Sequence, residues 1–170
     1  ELSPTDATDP RTLARLREVL EAMGKVPIVC KASPGYIVPR IQALAMNEAA
    51  RLVEEGVASA EDVDKAVTYG FGLRFGVLGL LEFIDWGGGD ILYYASNYLR
   101  DAFDDDRFKA PDVISQNMDQ GRIGLKTGSG FFDYSKIDVE AYRQRRMADF
   151  LRALQGAGMT RGPVLDNQTE

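Results

Sequence analysis

The chain has 170 residues, 45% of them hydrophobic, enough for a globular domain with a real core. Its 26 acidic residues outnumber 20 basic ones, and a net charge of −6 argues against nucleic acid, whose phosphates are met by clustered Lys and Arg. It contains no histidine, so a Ser-His-Asp triad, a Cys-His dyad and a His-based metal site are all excluded within it.

Glu1-Leu2-Ser3-Pro4-Thr5-Asp6 has neither a basic region nor a following apolar core, so it does not read as a signal peptide. The absence of an initial Met points to a processed or truncated chain. Asp9 then offers an N-cap and Pro10 a first helical residue. Leu13, Leu16, Val19, Leu20 and Met23 recur at helical spacing, and Gly24 stops the helix. Lys25 to Lys31 reads as a short buried strand. No comparable strand follows, so it looks like the edge of a sheet whose remainder lies elsewhere. The single cysteine, Cys30, sits in this apolar run as a small packed residue. It excludes an internal disulfide and suits a reducing cytoplasm.

After the turn Ser33-Pro34-Gly35 a long helix is expected from about Tyr36 to Glu55. Ile37, Val38, Ile41, Leu44, Ala45, Ala49, Leu52 and Val53 cover more than one of its faces, as in a helix packed on several sides. Pro39 falls in its first turn, and Gly56 ends it. Ser59 caps the next helix, which Gly70 stops. Gly70 to Gly76 reads as a glycine-punctuated loop carrying aromatics and Arg74. Helices follow over Val77 to Asp85, Ile91 to Phe103 and Pro111 to Asp119. Gly121 to Tyr134 is glycine-rich and extended, Asp138 caps a last helix to about Leu154, and a flexible tail covers 156–170. No stretch approaches the ~18 apolar residues of a membrane span, so no membrane contact is expected. The fold class is mainly α.

Four places invite chemistry. Lys126-Thr127-Gly128-Ser129-Gly130 is neither a P-loop, since its Lys precedes the glycines, nor a dinucleotide fingerprint, since Phe131-Phe132 follows; a structural turn is favoured. Arg74 either clamps a carboxylate or phosphate or stacks on Phe75 at the surface, and the residues leave both open. Glu48, Glu82 and Asp85 lie in apolar context, where burial could make acid–base groups of them, but pairing with an Arg or capping a helix is the favoured reading for each. Trp86-Gly87-Gly88-Gly89 reads as a hinge or turn. The basic cluster Arg143-Gln144-Arg145-Arg146 would fan around a helix surface.

Taken in order, Gly24-Lys25-Val26-Pro27-Ile28-Val29 and Pro34-Gly35-Tyr36-Ile37-Val38-x-Arg40 resemble the domain junction of 3-hydroxyacyl-CoA dehydrogenases, G-K-x-P-V-x-V then P-G-F-I-x-N-R. Asn47-Glu48-Ala49 through Glu55-Gly56-Val57-Ala58-Ser59 resembles E-A-x-x-L-x-x-E-G-x-A-S. Asp62-Val63-Asp64, Gly70-Phe71-Gly72 and Lys126 to Tyr134 resemble D-I-D, G-x-G and K-T-G-x-G-F-Y-x-Y. The likeness covers about residues 10 to 135. It implies a multi-helix substrate and dimerisation domain of the 6-phosphogluconate dehydrogenase C-terminal-like kind. On that likeness, residues 1–31 are the last helix and strand of a Rossmann domain and its junction, and 32–155 are the helical domain. The strand would complete the missing Rossmann sheet. NAD and a catalytic His–Glu pair would belong to that N-terminal Rossmann domain. The helical domain would enclose an acyl-CoA and form a homodimer, with no catalytic residue of its own, and the isolated piece would be inert.

Two departures stand out. The family's catalytic Asn position is Pro39, which has no side-chain amide; Ser33, Asn47 or Arg74 are the candidate substitutes. The stretch Gly72-Leu73-Arg74-Phe75 through Leu81-Glu82 is closer to the lambda-crystallin, gulonate and carnitine dehydrogenase branch. There Arg74, with Phe75 beside it, would hold the free carboxylate of a small hydroxy acid. Three readings follow: a domain of an acyl-CoA dehydrogenase, of a small 3-hydroxy acid dehydrogenase, or a non-catalytic dimerisation module.

Overall fold

The computed structural model describes residues 1–162 and divides into two compact units, Glu1–Val63 and the chain from Asp64 onward.

In the first unit α1 spans Pro10–Ala22. The Asp9 side chain accepts the Arg11 N–H at 3.2 Å, and Pro10 occupies the first turn, where its missing N–H costs nothing. Gly24, at φ +74°, closes it: Lys25 N donates to Leu20 O and Gly24 N to Glu21 O, both at 2.9 Å. The expected strand is not formed. Val29 makes one parallel bridge to Leu2, through Leu2 N to Ile28 O at 2.7 Å and Cys30 N to Leu2 O at 2.9 Å. Val26, Ile28 and Val29 are exposed, so the segment is not buried either. A strand needs a partner along its length, and among the described residues only Leu2 provides one.

The long helix α2 covers Val38–Glu54 and buries none of its residues. Gly35 and Tyr36, at φ +74° and +45°, turn the chain into it, and the Glu1 carboxylate accepts the Val38 N–H at 2.7 Å. Positive φ on a bulky residue such as Tyr36 is sterically costly. α3 (Ala60–Lys65) starts at Ser59, whose Oγ accepts the Asp62 N–H at 3.1 Å.

The second unit differs most from expectation at its start. Residues Ala66–Gly72 form a π-helix that runs into α4 (Leu73–Val77), so the expected loop is helical. None of Gly70, Gly72 and Gly76 has a left-handed φ, and a Cβ on Gly72 would sit 2.8 Å from Val67 O. Here glycine admits tight backbone rather than a break in it. The break comes at Leu78–Gly79, where φ is +76° and the chain bends by 97° into α5 (Leu80–Gly87). α6 (Gly89–Phe103) packs on α5, on a 3-10 turn at Asp106–Phe108 and on α7 (Asp112–Asp119). α8 (Val139–Gly156), capped by Asp138 accepting the Ala141 N–H, packs along α4.

The core of this unit is Leu125, Tyr134 and Tyr142, with Trp86 and Val139 packed against them. Among the described residues no single helix is long and apolar enough to cross a membrane. Part of the expected tail, residues 163–170, lies outside the described residues; Arg161, before it, stacks on the Tyr69 ring at 5.2 Å.

Candidate functional site

Asp85 organises the second unit. It is 1% exposed, and its carboxylate accepts the backbone N–H of Phe131 at 3.0 Å and of Phe132 at 2.9 Å. Its own carbonyl accepts Leu125 N at 2.9 Å. Two glycines make room: a Cβ on Gly130 would lie 2.1 Å from Asp85 Oδ1, and one on Gly124 would lie 2.3 Å from Asp85 O. Arg122 donates to Gly130 O, and Tyr134 N donates to Gly128 O at 2.9 Å. The Lys126 to Gly130 segment is therefore a turn held from inside. The Phe131 and Phe132 amides that follow it are already spent on Asp85.

Lys126 reaches back to Asp90, at 3.0 and 3.1 Å from the two carboxylate oxygens. That hydrogen bond holds the Asp90 carboxyl below the usual carboxylate range. Gly88, at φ +114°, passes so close that a Cβ would meet Asp90 Oδ1 and Lys126 Nζ. The Trp86 to Gly89 run is thus a tight, partly buried junction between α5 and α6 rather than a hinge.

One turn before Asp85, Glu82 faces α8. It accepts the Arg146 Nε–H at 2.9 Å and the Nη2–H at 2.5 Å, and also the Tyr142 hydroxyl. Arg146 also donates to Asp149 at 3.3 Å. Burial, and then the hydrogen bond to Glu82, push the Tyr142 phenol up. Tyr134 is buried beside Asp85 without a well-formed hydrogen bond, and burial pushes its phenol up as well. Glu82, Tyr134, Tyr142 and Arg146 line an open cleft of about 370 Å³. The basic cluster does not simply fan outward: Arg143 lies over Trp86 at 5.6 Å, Arg145 over Tyr142 at 5.6 Å, and Arg146 turns to Glu82. Glu82, like Glu48, has the Arg partner expected from its apolar context. Asp85 has neither an Arg nor a helix cap among the described residues and accepts loop amides instead. That Tyr142 and Arg146 are the residues on Glu82 is not among the expectations. The one usable signal was their i,i+4 spacing on a helix opposite an acidic residue in apolar context.

Arg74 and Phe75 come together on α4. Phe75 packs between Phe71 and Phe83, at 5.4 and 5.6 Å between centroids. The exposed Arg74 guanidinium lies 6.0 Å from the Phe83 ring, so its aromatic neighbour is Phe83 rather than Phe75. Among the described residues it has no carboxylate partner. Ser33, Pro39 and Asn47 belong to the first unit. Ser33 precedes the turn into α2 and Pro39 lies in that helix's first turn. Asn47 is exposed further along it, about 12 Å from Pro39 at ~1.5 Å per residue. Glu48 pairs with Arg51 at 2.9 Å. No group of side chains among the described residues is arranged to hold a metal ion.

Residues 35–134 match the family described as 3-hydroxyacyl-CoA dehydrogenase, C-terminal domain. A 5-formyl-3-hydroxy-2-methylpyridine 4-carboxylate 5-dehydrogenase of Mesorhizobium japonicum is 31% identical over 160 residues, 92% of this chain and 52% of that protein. Among solved structures, the 3-hydroxyacyl-CoA dehydrogenase of Archaeoglobus fulgidus superposes with a TM-score of 0.75 at 34% identity, covering 91% of this chain and 52% of that one. A 5-formyl-3-hydroxy-2-methylpyridine 4-carboxylic acid 5-dehydrogenase, an NAD+ dependent dismutase, superposes at 0.54 with 27% identity, over 93% of this chain and 51% of its own. The chain spans about half the length of these relatives. With its ordered motifs, its helical fold and a match across more than half of its residues, this chain belongs to the C-terminal domain family of the 3-hydroxyacyl-CoA dehydrogenases.

Proposed function

We propose that this chain is the substrate-binding and dimerisation part of an NAD-dependent dehydrogenase that oxidises 3-hydroxyacyl-CoA to 3-ketoacyl-CoA. The family match over residues 35–134 carries the reading. The described residues do not fit NAD itself. There is no histidine and no dinucleotide fingerprint, and the Phe131 and Phe132 amides after the glycine turn are taken by Asp85. Hydride transfer and the His–Glu pair accordingly belong to a Rossmann domain, and this chain's part is to shape the acyl site. Pro39 supplies no amide there. Ser33, at the same end of α2, is better placed than Asn47 to stand in for it.

The partner for dimerisation is a second copy. Ile37, the residue before α2, and Ile41 and Leu44 on it are spaced for one helix face and exposed to water. An apolar stripe of that kind marks an interaction surface.

A specific observation favours a second reading, a small hydroxy acid as substrate. Arg74 is exposed, lies beside Phe83 and has no carboxylate partner among the described residues, as a guanidinium that receives a free carboxylate would be. The Mesorhizobium relative bears a carboxylate in the name of its substrate.

The experiment is NADH oxidation by the whole protein, with acetoacetyl-CoA and free 3-keto acids offered in parallel. Turnover of the thioester supports the first reading, and turnover of the free acids alone supports the second. Turnover of neither sinks both and leaves a non-catalytic dimerisation module.

A further inference from the structure

We propose that α8 is a brace that sets the angle of the α4–α5 elbow, and through it the position of Arg74. This rests on the reading that Arg74 meets substrate. α8 lies wholly beyond residues 35–134, the part matched by the family.

The geometry is that of a triangle. α4 and α5 meet at Leu78–Gly79 with a bend of 97°, and the only covalent restraint there is two residues of backbone, one of them a glycine at φ +76°. Such a joint has little stiffness of its own. α8 forms the third side, because it packs along α4 and is tied to α5 by Glu82. The tie has two strands: Arg146 gives Glu82 two N–H groups from one guanidinium, and Tyr142, 8% exposed, gives it a hydroxyl. All three donors converge on one half-buried oxygen, Glu82 Oε1, and charge-assisted bonds from a rigid guanidinium hold it more firmly than a neutral donor alone would.

Arg74 sits on one arm of the elbow and its aromatic neighbour Phe83 on the other, 6.0 Å away. Phe75 and Phe83 make an edge-to-face pair across the same joint at 5.6 Å. If the elbow opens, Arg74 leaves Phe83 and swings with α4. Glu82, Tyr142 and Arg146 are therefore positioning residues that act through Arg74 without touching substrate.

The test uses amide exchange and steady-state kinetics on the whole protein, with Arg146→Met, the milder Tyr142→Phe, and Arg146→Lys as the conservative rescue. Arg146→Met should speed exchange about tenfold or more over residues 66–78 while α7, which α8 does not brace, keeps its rate. Tyr142→Phe should give a smaller change of the same pattern, and Arg146→Lys should recover part of the loss. In the kinetic arm, Arg146→Met should raise KM about tenfold with kcat within a factor of two. The Arg74→Ala/Arg146→Met double variant should then be no worse than Arg74→Ala alone. Unchanged exchange at 66–78 in both Arg146→Met and Tyr142→Phe overturns the brace. Exchange that rises equally in α7 also overturns it, because that is general destabilisation. Additive effects of Arg74 and Arg146 on KM overturn the action through Arg74. If Arg74→Ala itself leaves KM unchanged, the substrate reading has failed, while the exchange arm still decides the brace.

Discussion

Asp85 and Phe131 are 46 residues apart in sequence, and the carboxylate of the first accepts the backbone N–H of the second at 3.0 Å in a site closed to water. With Phe132 donating to the other oxygen, one side chain replaces the partners that two loop amides would otherwise lack. Removing it leaves those donors unsatisfied at about 1–3 kcal/mol each. Asp85→Ala should cost about 3 kcal/mol or more in urea unfolding. Asp85→Asn, which keeps one acceptor, should cost less. Equal stability of all three proteins would show that water reaches the amides.

The two glycine positions with opposite surroundings give an internal control. Gly130→Ala drives a methyl into Asp85 Oδ1 and should destabilise by about 1–3 kcal/mol. Gly70→Ala meets nothing within 4 Å at an unstrained φ and should stabilise by about 0.4–1 kcal/mol. Thermal melts of both variants read the contrast directly.

Tyr134 brings a dependence on alkaline pH. Burial raises the folded phenol above its ordinary value, so the native state holds its proton longer than the unfolded chain. Its contribution is fully present below about pH 10 and is lost as pH rises above that. The 295 nm absorbance change of Tyr134 should appear only on unfolding, and Tyr134→Phe should remove that step.

Asp90 works in the other direction. Lys126 holds its carboxyl low, so the pair contributes above about pH 4 and is lost as pH falls toward the lower folded value. Because both side chains are partly exposed, the contribution stays below about 1 kcal/mol and fades with salt. Lys126→Met should flatten that part of the acid limb of stability against pH.

The exposed stripe of α2 predicts an assembly defect. Leu44→Glu places a charge on the face proposed to meet a second copy. Light scattering should show the native protein at twice the mass of its Leu44→Glu variant. Equal masses would place the interface elsewhere.

The helices could be read directly, because their signals are local. Asp9-Pro10, Ser59, Gly24, Gly56 and Asp138 act on backbone within a few residues, through caps and left-handed stops. The motif order from Gly24 to Tyr134 likewise carried the family. The glycines at 70, 72 and 76 misled, because a sequence shows that glycine permits a break but not whether neighbouring backbone demands tight approach instead.

The sequence by itself determined the mainly α class, the family, and the absence of histidine or a dinucleotide motif to run hydride chemistry here. Only the tertiary structure decided that Asp85 holds the Phe131-Phe132 loop, that Arg146 turns inward to Glu82, and that Arg74 stands beside Phe83. Each of those is a directed contact between distant side chains. Its free energy depends on ångström-scale distance and on exclusion of water, which no spacing along the chain encodes.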